Sequence, residues 1–185
     1  MPKSNPSLQP RIILDNRKFQ LTLHRLCHQL NENHGDFSQS VLIGIQPRGI
    51  FFADKIFSLL KKFSGKEIPY GKLDITFYRD DFRTAEKPLI PCETDLDFSI
   101  ENKKVVLIDD VLFTGRTIRS AMDALLQYGR PEKVELMVLV DRRFTRHVPI
   151  QPDYVGISID TIQDEKVKVD WGNKEEEEKI WIMDK

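Results

Sequence analysis

The first half of the chain alternates segments of helical hydrophobic spacing with short continuous apolar runs. Between Phe19 and Leu30 apolar residues recur every three or four positions, and Asp15 stands where a side chain can cap a helix start. The run "VLIGI" (41–45) follows, and helical spacing returns at 49–63. Continuous apolar runs of this length are typical of strands that are buried on both faces. The pattern predicts buried strands joined by amphipathic helices.

The second half repeats this alternation. "KLDITFY" (72–78) is strand-like, 105–108 is a continuous apolar run, and helical spacing follows at 118–126. A further apolar run lies at 133–140. Strands that alternate with helices predict an α/β fold with a mostly parallel, twisted sheet flanked by helices. Ligands in such sheets bind at the carboxyl ends of the strands.

The two ends of the chain differ from its centre. Residues 1–10 are rich in proline and polar side chains, which predicts a flexible N-terminal tail. Within residues 166–183, apolar and polar positions alternate on either side of a polar segment, which predicts a C-terminal hairpin. A helical turn at 175–178 is the alternative. Residues 11–185 are expected to form a single domain, since this length suits one hydrophobic core.

Composition narrows the class of protein. The net charge of −1 provides no field that would draw the whole protein to nucleic acid or to an anionic membrane. Cys27 and Cys92 are not spaced as a metal or redox pair, which suits a reducing compartment. No apolar run approaches the roughly 20 residues that span a bilayer. The protein is therefore expected to be cytoplasmic.

The stretch "VVLIDDVLFTGRT" (105–117) carries the clearest chemical signal. Asp109 and Asp110 follow a buried strand, and "TGRT" (114–117) leads directly into a helix. The first turn of a helix presents unpaired N–H groups to an anion, while carboxylates accept hydrogen bonds from sugar hydroxyls. A ribose 5-phosphate satisfies both ends of the motif. A capped turn beside a solvated acidic pair is the alternative interpretation.

The same stretch resembles the phosphoribosyl-pyrophosphate (PRPP) motif of the type I phosphoribosyltransferases. Other segments are similar to the bacterial pyrimidine operon regulators (PyrR), which combine uracil phosphoribosyltransferase activity with regulatory RNA binding. The resemblance implies the type I phosphoribosyltransferase fold, with a flexible flap and a C-terminal hairpin. The matching segments are "ILD" (13–15), "GIQPRGI" (44–50), "DITFYRDDF" (74–82), "GRTIRSAMDALLQYGRP" (115–131), "VLVDRR" (138–143) and "PIQPDYVG" (149–156).

The resemblance assigns roles to residues of this chain. Asp109, Asp110, Arg48 and Arg79 are the implied catalytic residues. Val140, Asp141 and Arg142 are implied at the base, and Mg²⁺ is the implied cofactor, held mostly through PRPP and water with Asp141 as its candidate protein ligand. The implied PRPP-binding residues are Pro47, Arg48, Gly49, Asp109, Asp110, Val111, Leu112, Phe113, Thr114, Gly115, Arg116 and Thr117.

Two loops have further implied features. "QPRG" (46–49) resembles the pyrophosphate loop of the family. Type I relatives often hold a non-proline cis peptide in this loop, and the matching bond here is Pro47–Arg48. Without the resemblance, the segment would be interpreted as a Pro–Gly turn. Residues 79–103 resemble the flap that closes over PRPP. Its part from 79 to about 101 is expected to be mobile without substrate, because it has few apolar contacts. The implied flap residues are Tyr78, Arg79, Asp80 and Asp81. The charged residues at 93–101 are interpreted as a solvated part of this flap.

The expected reaction forms UMP and pyrophosphate from uracil and PRPP with Mg²⁺, with pyrimidine-responsive regulation as a candidate second role. The alternatives are an RNA-binding attenuator with little or no catalysis, or a transferase for another base such as hypoxanthine. The family forms dimers or higher assemblies, so a homodimer or higher homo-oligomer is expected.

RNA binding is a separate question. Arg25, His28 and Arg146 match RNA-contacting positions, whereas Gln151 and Ile157 replace an arginine and a lysine of the family. Each lost cation removes a phosphate contact and its counterion release. Binding to an mRNA leader is therefore expected to be weak or absent.

Overall fold

The computed structural model describes residues 10–82, 90–160, 165–172 and 177–184. Of the predicted tail, all but Pro10 lies outside these ranges. A 3₁₀ turn occupies Thr76–Tyr78, between β3 and β4. In chain order the elements are β1 (Arg11–Leu14), α1 (Asn16–His34), β2 (Ser40–Ile45), α2 (Gly49–Ser64), β3 (Tyr70–Leu73), β4 (Lys104–Leu112), α3 (Arg116–Leu125), β5 (Lys133–Arg143), β6 (Tyr154–Asp160), β7 (Glu165–Asp170) and β8 (Lys179–Asp184).

The main sheet is parallel and has the strand order β3-β2-β4-β5-β6. Its two faces are covered by different helices, so strand residues alternate between two cores. Val106 and Ile108 of β4 join the core under α1 and α2, whereas Val105 and Leu107 join the core under α3. Burial on both faces is the reason that these strands are continuous apolar runs. The predicted α/β fold is confirmed.

Helix α1 begins as the sequence predicts. The Asp15 side chain accepts a hydrogen bond from the N–H of Lys18 at 2.9 Å, which satisfies one free donor of the first turn. Gly35 follows the last residue of the helix, and its N–H donates to Asn31 O at 3.0 Å. No helix among the described residues is long and apolar enough to cross a membrane.

A second, antiparallel sheet has the strand order β1-β8-β7. The pairing of β7 with β8, with Val167 opposite Ile182, confirms the predicted C-terminal hairpin. The alternative helical turn falls partly on residues outside the described ranges. Strand β1, which pairs with β8, was not predicted, because four residues are too short to show a period.

Two element boundaries differ from the sequence prediction. Strand β4 continues to Leu112, so Asp109 and Asp110 lie inside the strand rather than after it. Strand β3 ends at Leu73, and a turn replaces the predicted strand at 76–78. The cause is Asp74, whose Oδ1 accepts hydrogen bonds from the N–H and the hydroxyl of Thr76 at 3.1 and 2.6 Å. Such local side-chain bonds compete with the sheet ladder.

The segment before β4 is anchored, which corrects the expectation that it has few apolar contacts. Asp95 and Lys72 exchange two backbone hydrogen bonds of 2.8 Å. Leu96 and Phe98 pack against the α3 core, and Ile100 is fully buried there. The charged residues between them are exposed, as expected. The mobile flap predicted for 79–103 stays a prediction for its first part, of which residues 83–89 lie outside the described ranges.

Candidate active site

Two adjacent carboxylates sit at the centre of the carboxyl edge of the sheet. Asp109 is 5% exposed and Asp110 is 9% exposed. Asp109 Oδ1 accepts the N–H of Asp110 at 3.0 Å, and Asp110 Oδ1 accepts the N–H of Val111 at 2.7 Å. These short-range bonds orient both side chains along the strand. Both carboxylates are buried, whereas the alternative interpretation of the motif requires a solvated acidic pair.

Burial makes this pair electrostatically unusual. Desolvation, followed by the charge of Asp110, raises the pKa of Asp109 well above its ordinary value. Desolvation also raises the pKa of Asp110. The positive charge of Arg48 acts in the opposite direction on both groups. A ligand that donates hydrogen bonds or brings positive charge would therefore be favoured here.

The loop between β4 and α3 forms the anion-binding half of the site. Gly115 has φ +86°, a left-handed conformation that favours glycine, and it turns the chain into the helix. No side chain caps the first turn of α3, and only a long 3.4 Å contact joins the Arg116 N–H to Thr114 Oγ1. The carbonyl of Thr114 accepts hydrogen bonds from the N–H groups of His147 and Val148, at 2.9 and 3.1 Å, which fixes the loop. The helix start is thus held open toward a ligand.

The predicted pyrophosphate loop lies against the acidic pair. A Cβ on Gly49 would come within 2.6 Å of Ile108 O and 3.0 Å of Asp109 Oδ1, so only glycine fits this approach. The expectation of a cis peptide at Pro47–Arg48 is wrong in this structure, where the cis bond is Gln46–Pro47. The difference follows the general preference of cis bonds for the position before proline.

A cavity of about 280 Å³ opens at this edge. It brings together Asp109 and the 111–117 segment with Arg79, Asp80 and Asp81, which come from the start of the predicted flap. Pro47, Arg48, Gly49, Tyr78, Asp110, Val140, Asp141 and Arg142 are not among its lining residues. Apart from Asp110, the predicted PRPP residues of the β4–α3 segment therefore converge on one space. Gly49 of the 46–49 loop lies against Asp109.

The predicted base-binding residues lie on the neighbouring strand. In the register of the sheet, Val140 is opposite Val111 and Asp141 is opposite Leu112. The guanidinium of Arg142 lies 4.1 Å from the ring centre of Phe113, which lines the cavity. Arg142 also donates to Glu165 O of β7 at 2.9 Å, so it joins the site to the second sheet. Sequence reasoning missed this link, because it depends on a contact between distant segments.

The fit of this edge to Mg²⁺ can be judged from its oxygen donors. Among the described residues, no group of three or more His, Cys, Asp or Glu side chains is gathered to hold a metal ion. Asp141 is engaged in an ion pair with Arg146. Mg²⁺ in phosphate-handling sites is commonly bound by one or two carboxylates, with water and substrate phosphates completing the shell. The acidic pair fits that arrangement, in which the substrate supplies most of the ligands.

The candidate RNA-contacting residues have partners inside the fold. The Arg146 guanidinium pairs with Asp141 and donates to the carbonyls of Arg142 and Ile150 at 2.8 and 3.2 Å. This inward position argues against an RNA contact by Arg146.

On α1, Arg25 donates to Val155 O and Gly156 O at 3.0 and 2.6 Å, and the ring of His28 packs on Phe63 at 4.5 Å. Both side chains stay on the surface. Ile157, in place of the family's lysine, packs against the α1–α2 core.

Comparisons with known proteins agree with this geometry. A family model described as the phosphoribosyl transferase domain matches residues 11–175. The "Bifunctional protein PyrR" of Bacillus cereus (strain AH820) is 42% identical over 177 residues, covering 94% of this chain and 97% of the relative. The protein of that name from Bacillus thuringiensis subsp. konkukian (strain 97-27) matches to the same extent.

Solved structures show the same fold. A hypoxanthine-guanine phosphoribosyltransferase from Bacillus anthracis has a TM-score of 0.69 at 18% identity, covering 93% of this chain and 96% of its own. The hypoxanthine phosphoribosyltransferase of Trypanosoma cruzi has a TM-score of 0.69 at 18% identity, covering 94% and 96%. At these identities the likeness concerns the fold alone.

Proposed function

The chain belongs to the phosphoribosyltransferase family, and we propose that it transfers the phosphoribosyl group of PRPP to uracil, forming UMP and pyrophosphate. The observation that carries the proposal is that the buried Asp109 and an uncapped helix start line one cavity, with the buried Asp110 next to Asp109 in the strand. The curated relatives named PyrR favour a pyrimidine over a purine, since that family combines uracil phosphoribosyltransferase activity with regulation.

The acidic pair is assigned to the ribose. Its two carboxylates accept hydrogen bonds from the ribose hydroxyls, and their negative charge stabilises the positive charge that develops on the ring as pyrophosphate leaves C1. In the ligand-free protein, burial favours the protonated forms. Hydrogen bonds from the ribose and the developing cation favour the ionised forms. Because the cation forms only as the bond to pyrophosphate breaks, the pair stabilises the transition state more than the bound substrate.

The helix start is assigned to a phosphate. The N–H groups of residues 114–117 and the dipole of α3 favour an anion there, and the hydroxyls of Thr114 and Thr117 add donors. Arg48 lies close enough to act on the charge of both aspartates. We assign it to the pyrophosphate, on the other side of the ribose, because the loop at 46–49 resembles the family's pyrophosphate loop. Mg²⁺, when bound, offsets the charge of the leaving pyrophosphate.

The test is a turnover assay with purified protein, PRPP, Mg²⁺ and one nucleobase at a time. We expect UMP with uracil, and little product with cytosine, hypoxanthine or guanine. Asp110→Asn is expected to lower turnover at least about 100-fold, the effect of removing one preorganised electrostatic group. Product with hypoxanthine but none with uracil would replace this proposal by that of a purine enzyme.

RNA-dependent regulation is the second candidate. It is supported by the curated relatives and by Arg25 and His28, which are exposed on α1. Gln151 and Ile157 oppose it, because each stands where the resembling family carries a cation.

The assembly of the protein into a homodimer or higher homo-oligomer also stays a prediction.

A further inference from the structure

The charged side chains that line the active-site cavity are not arranged as expected for an anion-binding site that is empty. Its cationic lining residues are Arg79 and Arg116, and its carboxylates are Asp80, Asp81 and Asp109. A cavity that takes the phosphates of PRPP would be expected to present free positive charge. Here both arginines already have anionic partners, and both partners lie within two residues of Arg79 in the sequence.

Each pair has defined geometry. The Arg79 guanidinium donates from Nε and Nη2 to the two oxygens of Asp81, at 2.8 and 2.7 Å. Arg116 Nη1 pairs with Asp80 Oδ2. The first pair is local, between residues two apart. The second pair joins residues 36 positions apart, and it connects the start of the predicted flap to the first residue of α3.

The Asp80–Arg116 pair lies where the phosphate of a ligand is proposed to bind. Arg116 is the first residue of α3, directly beside the uncapped amides that are assigned to a phosphate. A carboxylate and a phosphate oxygen make the same kind of charge-assisted bond to a guanidinium. The side chains of Asp80 and Arg116 are 35% and 53% exposed, so the pair can exchange partners without unfolding its surroundings.

The geometry points to Asp80 as an internal competing anion: its carboxylate holds Arg116 in the empty site, PRPP displaces it on binding, and it recaptures Arg116 as product leaves. This inference rests on the proposed function and extends it to substrate affinity and product release. Asp80 is a residue that tunes affinity and takes no part in the chemical step. The consequence is weaker binding of PRPP and of UMP, which both carry the ribose 5-phosphate, than the same site would show without Asp80.

The experiment is a calorimetric titration of PRPP with Mg²⁺ into the wild type and into Asp80→Asn. The variant is expected to bind PRPP about three- to ten-fold more tightly, the range expected from losing an exposed ion pair and one nearby like charge. Inhibition of turnover by the product UMP, which carries the ribose 5-phosphate, should strengthen by a similar factor. Asp123→Asn is the matched control, because Asp123 is an exposed aspartate of α3 that pairs with Arg119 outside the cavity. The affinity of this control variant for PRPP should stay within about two-fold of the wild-type value.

A double-mutant cycle separates displacement from a general charge effect. In an Arg116→Gln background, Asp80→Asn should no longer tighten PRPP binding, because the arginine that Asp80 occupies is gone. A gain that persists in that background would overturn the inference, as would a single variant that binds PRPP no more tightly than the wild type. If the wild type binds no PRPP at all, the proposed function itself is wrong.

Discussion

Replacing Asp109 by asparagine is expected to stabilise the fold while removing most of the turnover. The side chain is 5% exposed and lies next to a second buried carboxylate, Asp110. Its Oδ1 accepts the Asp110 N–H at 3.0 Å, and the amide oxygen of an asparagine can accept the same bond. The substitution therefore removes the charge and keeps the shape and this contact.

The sign of the stability change follows from the pKa. Burial, and then the neighbouring Asp110, raise the pKa of Asp109 well above its usual value. Between the usual and the raised pKa the folded protein holds a proton that the unfolded chain releases, so wild-type stability falls as the pH rises through this window. Each pKa unit corresponds to about 1.4 kcal/mol. We expect the variant to gain about 1–2 kcal/mol in the free energy of unfolding at pH 8, or about 2–8 °C in Tm for a domain of this length.

The assay is urea unfolding of the wild type and the variant at pH 8 and pH 4, with turnover measured at pH 8. The stability gain should shrink toward pH 4, where the unfolded chain also begins to hold the proton. The control, Asp123→Asn, removes an exposed carboxylate and should change stability by less than about 0.5 kcal/mol. Turnover of Asp109→Asn should fall about 100-fold or more. A variant that is less stable than the wild type at pH 8, or one that keeps its turnover, would refute the reasoning.

Two substitutions and one binding measurement test other parts of the protein. Arg146→Ala should lower the free energy of unfolding by roughly 2–3 kcal/mol in urea, because it leaves the mostly buried Asp141 without its partner; a surface role would give almost no change. Gly71→Ala should destabilise by at least about 1 kcal/mol, since its Cβ would lie 2.5 Å from Asp95 O, and an unchanged Tm would mean that the 92–101 segment is not anchored there. Titration of the protein with its own pyrimidine-operon leader RNA, with and without UMP, should show weak or no binding at physiological salt; tight binding stimulated by UMP would make regulation the main function.

Local patterns were sufficient to predict the centre of the fold. The strand at 105–108 is buried on both faces, so every position in it is apolar. This local pattern is enough to predict a buried strand. Likewise, a glycine before a helix and two preceding acids are features of adjacent residues, so the β4–α3 site could be predicted from sequence. Asp15 as the cap of α1 was predicted for the same reason.

The features that were missed depend on partners far away in the chain. Strand β1 exists because β8 pairs with it, and the segment around Asp95 is held by Lys72 of β3. Nothing near Arg146 in the sequence shows that its guanidinium turns inward to Asp141 and to carbonyls at the ends of β4 and β5. The pairing of Asp80 with Arg116 likewise joins two motifs that were interpreted separately.

The most direct measurement is a crystal structure of the protein with PRPP and Mg²⁺. We expect a phosphate within hydrogen-bond distance of the backbone N–H groups of 114–117, and ribose hydroxyls on the carboxylates of Asp109 and Asp110. The bond between Arg116 and Asp80 should be broken in that complex. PRPP bound elsewhere, or bound in this cavity with neither aspartate in contact with the ribose, would show that the acidic pair is not the ribose site.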